Sequence, residues 1–386
     1  MSIAVQAISG LNLASALAPS TSGVADALFI LRKNPSAKVT ITDTADQIAR
    51  HFDALSRWSG NITSVSVSDL GNATPGLVKV SASQFSQNAR LIAKFSDSGV
   101  FVVDRSSAAY ASTLQSSTKV ASFSVKDSST EIGNRLNALN SATKLTQLNV
   151  STPDALIAMT EAQRASSTDL LAKISGPFGL KINQAKASDA IALKNNGQVR
   201  SIAILDNASN ISNNLDDLKD LGTKLHSIRS TDRALIEINP DQLDRDALVI
   251  GKIYRGYELV VKSATTSQAI PLGNNRKIIS IAIEDTAANI SSNLSALAKL
   301  GSDLTSIHIT DAGQPLQLTS TAYRNYADTL AKILPTDAYT VEVTDASVQE
   351  AQVFSTDDLV SKISVSDTAG MISANLVDLA ANTKLD

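Results

Sequence analysis

Apolar residues in this chain follow two periods that take turns. Short stretches alternate apolar with small or polar residues, as in Ser280-Ile281-Ala282-Ile283 and Thr305-Ser306-Ile307-His308-Ile309-Thr310. That period of two predicts strands with one buried face. Between them, apolar residues stand at i, i+4 and i+7, as in Ile290, Leu294 and Leu297, which makes a single helical stripe. From Ile279 onward the pattern predicts a strand, then a helix opened by Thr286 and closed near Gly301. A second strand runs to Thr310, followed by turn chemistry over Asp311-Ala312-Gly313-Gln314-Pro315. A short strand Leu316-Gln317-Leu318, a helix over 321–333, a strand over 339–343 and a helical turn over 348–354 complete it.

The same layout recurs along the chain. Its first helix follows Asp43, Asp127, Asp206, Asp285 and Asp367, separated by 84, 79, 79 and 82 residues. Counted from each Asp, apolar residues occupy +5, +9 and +12: Ile48, Phe52, Leu55; Ile132, Leu136, Leu139; Ile211, Leu215, Leu218; Ile290, Leu294, Leu297; and Ile372, Leu376, Leu379. A second landmark, Lys94, Lys173, Lys252 and Lys332 at the end of the second helix, keeps spacings of 79, 79 and 80. Two landmarks with one period indicate a tandem array of a single supersecondary unit.

The expected fold class is therefore α/β (α+β), a tandem repeat of about 80-residue β-α-β-β-α-β units. The expected divisions are a cap over 1–38 with a helix near 25–32, a divergent first repeat over 39–120, repeats over 121–199, 200–278 and 279–360, and a partial repeat over 361–386. One-sided strands predict helices on one sheet face and a small, polar opposite face. Ferredoxin-like beads or a stacked, solenoid-like array both satisfy this. Short linkers with apolar residues and no Pro- or Gly-rich hinge favour stacking.

Composition narrows the function classes. Hydrophobic residues make up 43% of the 386 residues and aromatics 4%, so the cores are aliphatic. The net charge of −3 comes without a basic stripe, and nucleic acid is not an expected partner. No apolar run reaches bilayer-spanning length. The absence of Cys excludes disulfides, thiolate metal sites and a Cys nucleophile. Together with solvent-facing positions rich in Ser, Thr, Asn and Asp, it points to an exported bacterial protein, extracellular or on the cell surface. Residues 11–18 have the look of a signal-peptide core, but the first positive side chain is Arg32 and Pro19 follows the supposed cleavage point, so no cleaved Sec signal is expected. The final residue, Asp386, falls where earlier copies begin their next strand, which suggests a fragment of a longer repeat protein.

Candidate chemistry is sparse. The recurring Asp-Thr or Asp-Ser pair reads as a helix N-cap; a few surface Ca²⁺ sites built from such Asp side chains are the alternative, without an EF-hand loop to support them. His51, His226 and His308 sit at different places in the repeat and share no zinc spacing. The carboxylates Asp216-Asp217, Asp357-Asp358 and Asp241 with Asp244 and Asp246 read as solvated surface. No nucleophile elbow or phosphate loop is present. The recurring Lys complements a helix C-terminus. Tyr254 and Tyr257 make a local aromatic patch. No catalytic, cofactor-binding or metal residue is assigned, and no cofactor is expected.

The stretches DTAANISSNLSALAKLGSDLTSIHITDAGQPLQLTSTAYRNYADTLAKI and SDTAGMISANLVDLAANTKL resemble repeats in long, Cys-free, Ser/Thr/Asp-rich bacterial proteins of adhesin-like or surface-layer-like type, many exported in one step. The resemblance spans about residues 39–386 and implies a non-enzymatic structural or adhesive role outside the cell: a filament, a surface layer or an adhesin stalk. Self-association through repeat ends or the open sheet face would build it. The alternative is a scaffold that reads a glycan or protein through varying exposed residues such as Arg229, His308 and Glu342. An enzyme site in the divergent first copy, near Trp58 and the insertion over 71–75, is a third reading.

Overall fold

The computed structural model describes residues 20–232, 234–254 and 256–386. The signal-like stretch over 11–18 lies outside them. The chain divides into two compact units, Met1–Ile182 and Asn183–Asp386.

In the first unit, strands Ser20–Ser22, Val39–Asp43 and Ile62–Val67 form a parallel sheet in chain order. Strands Val78–Ser81, Phe101–Ser106, Val120–Asp127, Leu145–Val150 and Ile174–Ser175 form a second. In the second unit, Val199–Asp206 pairs with Leu225–Ser230. Ile236–Ile238, Leu259–Ala264, Ile278–Asp285 and Leu304–Ile309 make a four-stranded parallel sheet, and Leu316–Thr319, Val341–Ala346 and Val360–Val365 a three-stranded one. Parallel neighbours require a crossover, and helices supply it: Ala111–Ser116 between Phe101–Ser106 and Val120–Asp127, Ala287–Ala298 between Ile278–Asp285 and Leu304–Ile309.

The protein is thus mixed α/β with small, all-parallel sheets. A ferredoxin-like bead does not describe it. Such a bead would pair Leu304–Ile309 with Leu316–Thr319 as an antiparallel hairpin; here they belong to different sheets. Hydrophobic periodicity names a strand but carries no information about its direction or its partner, and that is why both arrangements satisfied the sequence.

Partner spacings recur in both units. Phe101 faces Val120, Leu259 faces Ile278 and Val341 faces Val360. Single bridges then extend each ladder: Val65 to Phe95, Ile228 to Ile253, Ile307 to Ile333 and Ile363 to Leu385. The carbonyls of Lys94, Lys173, Lys252 and Lys332 accept the amides of Val65, Leu148, Ile228 and Ile307 at 2.9 Å each. The recurring Lys therefore marks a backbone ladder position. In one copy its side chain serves a different helix from the one expected: Lys332 Nζ donates to the carbonyls of Gly301 and Leu304, in the turn that follows helix Ala287–Ala298, at 2.5 and 2.6 Å.

The cores are aliphatic. The stripes Ile48/Phe52/Leu55, Ile132/Leu136/Leu139, Ile211/Leu215/Leu218 and Ile290/Leu294/Leu297 are all buried. Each of these helices packs on a following strand, Val78–Ser81, Leu156–Thr160, Ile236–Ile238 or Leu316–Thr319. The fifth stripe departs from expectation: Leu379 is buried, but Leu376 is 57% exposed. Among the described residues no such strand lies against that helix. A helix expected near 25–32 is present as Val24–Lys33, with Val24, Ala27, Leu28 and Leu31 buried.

Candidate functional site

The most regular polar arrangement is built on the five recurring Asp residues. Asp43, Asp127, Asp206 and Asp285 end strands, Asp367 lies two residues past one, and each faces two helix starts. Its Oδ1 accepts the next residue's amide: Thr44, Ser128, Asn207, Thr286 and Thr368 donate at 2.7–2.9 Å. Its Oδ2 accepts the first amide of the preceding helix, nineteen residues upstream every time: Val24, Ala108, Ala187, Thr266 and Val348 donate at 2.8–3.0 Å. The N-cap of the following helix is the neighbour of the Asp. The side chains of Thr44, Ser128, Asn207, Thr286 and Thr368 accept the amides of Gln47, Glu131, Asn210, Asn289 and Met371. The Asp-Thr pair is thus a cap in two parts. The hydroxyl closes its own helix, and the carboxylate closes the one before it.

A second rung runs the other way. The first amides of the following helices, Ala45, Ser129, Ala208 and Ala287, donate to Asp69, Thr152, Asp232 and Asp311 on the next segment, at 2.7–3.0 Å. Helix starts leave amides without intrahelical partners, and here neighbouring segments satisfy them. Burial opposes ionisation of Asp206, but the amides of Ala187 and Asn207 and the Asn210 side chain outweigh it and hold the carboxyl below its ordinary range. At Asp285 burial is likewise outweighed, by Asn289, the amides of Thr266 and Thr286, and the Thr266 hydroxyl. With both oxygens taken by N–H groups, these carboxylates are poorly placed as Ca²⁺ ligands. Among the described residues no group of three or more His, Asp or Glu side chains is arranged to hold a metal ion.

The other singled-out residues fall in separate places. His51 sits at the break between helices Ala45–Arg50 and Phe52–Arg57. His226 is exposed on strand Leu225–Ser230. His308 Nδ1 lies 2.9 Å from the Asp337 carboxylate. Glu342 receives Gln317 Nε2 at 3.3 Å. Asp357 accepts the Tyr323 hydroxyl at 2.7 Å; burial, then this bond, push the Tyr323 phenol up. Tyr254 and Tyr257 do come together. With Arg229, Asp232 and Glu258 they line an open cavity of 600 Å³. The Arg229 guanidinium lies 5.6 Å from the Tyr254 ring centre and Lys277 Nζ 4.3 Å from that of Tyr257. In the first unit a cavity of 740 Å³ lies across strands that bear Lys79, Asp104, Arg105, Ser124 and Gln147.

One expectation is overturned. Asp246 is no surface carboxylate; its side chain is 0% exposed. It stands at the break between helices Pro240–Arg245 and Ala247–Ile250. The corresponding breaks hold Asn88, Ser167 and Tyr326, and Ser167 is buried too. Aligning the copies on Lys173 and Lys252 places Asp246 opposite Ser167, the one signal in the sequence for its burial. No family model matches the chain, and no curated protein sequence matches it either.

Proposed function

We propose that this chain is a non-enzymatic structural repeat protein of the bacterial cell surface. In this reading, about 80-residue units stack as a solenoid-like α/β array that spaces or assembles an extracellular filament, surface layer or adhesin stalk by self-association. The carrying observation is the Asp clamp. The most conspicuous polar residue in the sequence is committed five times to joining neighbouring segments through backbone amides. A side chain so engaged serves shape, and quasi-one-dimensional stacking distributes stability along the array. Half-polar strand faces and repeat ends supply surfaces for association.

Light scattering and electron microscopy of the purified protein, with fractionation of the producing cell, test this. Concentration-dependent polymers of regular spacing and recovery with the envelope are expected. A protein that stays monomeric and never reaches the envelope would overturn the reading.

The alternative, a scaffold that binds a glycan or protein, draws on one observation: Tyr254 and Tyr257 share a cavity with Arg229, Asp232 and Glu258. Aromatic faces beside charged hydrogen-bonding groups suit a saccharide. A glycan screen that returns a ligand lost in Tyr254→Ala, without polymer formation, would favour it.

A further inference from the structure

The Asp246 carboxyl is buried, yet as a carboxylate neither oxygen receives a hydrogen bond from the described residues. Its cations are distant or occupied. Arg245 lies 3.5 Å from one oxygen but is engaged by Asp216, and Lys219 Nζ is 3.8 Å from the other. A carboxylate removed from water needs several donors, and leaving it without them is among the costlier arrangements in a protein. A carboxylic acid in the same place has a use for its proton, because the Asp216 carboxylate, held by the same Arg245 nitrogen that approaches Asp246, is an acceptor. The Asn88 break solves the same problem with a neutral side chain, which receives the Ser56 hydroxyl and donates to the Gln84 carbonyl at 2.7 Å.

We propose that Asp246 is a pH-sensitive latch: protonated, it donates to Asp216 and ties the break of its own helix pair to the segment over 215–224; ionised, it loosens that contact. Burial, then the hydrogen bond with Asp216 and after it the charge of that group, push the Asp246 carboxyl up. The hydrogen bond from Asp246, followed by burial acting the other way and by Gln242 and Arg245, leaves Asp216 held down. Asp246 is buried whereas Asp216 is exposed and paired with Arg245, so the proton belongs to Asp246 and the charge to Asp216.

Among the described residues, other charged groups stand around the latch. On segment 215–224, Asp220 is paired with Lys194 at 2.8 Å, and Lys224 donates to the carbonyls of Lys194 and Asn196; Asp217 and Lys219 complete that segment. On the latch's own helix Asp241 receives Gln268 and Asp244 is exposed. Lys262, on the strand packed behind, is paired with Glu237 at 2.5 Å. Helix Thr266–Leu272 carries no ionisable side chain.

The sign follows from the raised carboxyl. Between the ordinary Asp range and the raised folded value, the native state binds the proton that the unfolded chain has released. Stability therefore falls as pH rises through that window. Amide exchange of the full chain, corrected for intrinsic rates, should quicken over 236–253 as pH rises from 5 to 8, by roughly tenfold per unit of pKa elevation. Asp246→Asn, which keeps a donor toward Asp216, should remove that dependence, as should Asp246→Ser. Equal pH dependence in wild type and variants would overturn the proposal, as would variants less protected than wild type throughout the range. If neither variant folds, carboxyl-¹³C-aspartate spectra of the wild type decide: one resonance titrating above the ordinary range supports the latch, and none overturns it.

Discussion

Asp285 Oδ2 lies 2.8 Å from the amide nitrogen of Thr266, nineteen residues earlier in the chain. That one bond joins the end of strand Ile278–Asp285 to the start of helix Thr266–Leu272. The Thr266 hydroxyl reaches the same oxygen at 2.8 Å, and Asp285 Oδ1 holds the amide of Thr286 and the Asn289 side chain. The carboxylate thus fastens two helix starts on successive segments.

The clamp and the cap should separate by mutation. Asp285→Ala strands the amides of Thr266 and Thr286 in a buried setting, at a cost of about 1–3 kcal/mol. Thr286→Ala removes only the local cap and should cost about 1 kcal/mol. Urea titration of both variants checks the order; a smaller loss at Asp285 than at Thr286 would contradict the clamp.

Acid should weaken the same bonds. The Asp206 and Asp285 carboxyls are held below the ordinary range, so their contribution is complete above about pH 4. It is lost as pH falls through their depressed values, because the unfolded chain then binds protons that the native state does not. Thermal unfolding between pH 5 and 2 should show this decline, and Asp285→Asn should make it shallower.

Gly133 brings helix Ser129–Asn134 against strand Leu156–Thr160. A Cβ there would stand 2.9 Å from the Ala158 carbonyl oxygen. Gly133→Ala should destabilise the first unit by about 1–3 kcal/mol, although alanine favours helix elsewhere. Chemical denaturation provides the comparison.

A strained turn also recurs. Arg105, Gln184, Ser263 and Asp345 all have φ between +53° and +56°, and Arg105, Ser263 and Asp345 lie where the strand register shifts. Left-handed backbone is unfavourable for side-chain-bearing residues. Exposed Ser263 has little packing to lose, so Ser263→Gly should stabilise the second unit by up to about 1 kcal/mol. A fall in its melting temperature would argue against strain there.

Leu294 is 2% exposed at the centre of its stripe. Leu294→Ala should cost about 2–5 kcal/mol. If the segments stack as proposed, faster amide exchange should concentrate near residues 278–319 and fade with distance along the chain. Uniform loss of protection over both units would speak against stacking.

Helix and strand positions, the aliphatic stripes and the helix near 25–32 were legible along the chain, because one-sided burial imposes a period that survives in the order of residues. The two landmarks, Asp and Lys, were legible as a rhythm for the same reason. Tertiary structure alone decided what they do. Asp43 and its counterparts reach an amide nineteen residues away, a distance over which periodicity is silent, since hydrogen-bond partners are chosen by which segments lie side by side. Strand direction was decided there too, as was the fate of Asp246. A carboxylate in a polar-looking stretch is ordinarily solvated, and only tertiary packing, which brings Asp216 and Lys219 to the break at 246, takes it out of water.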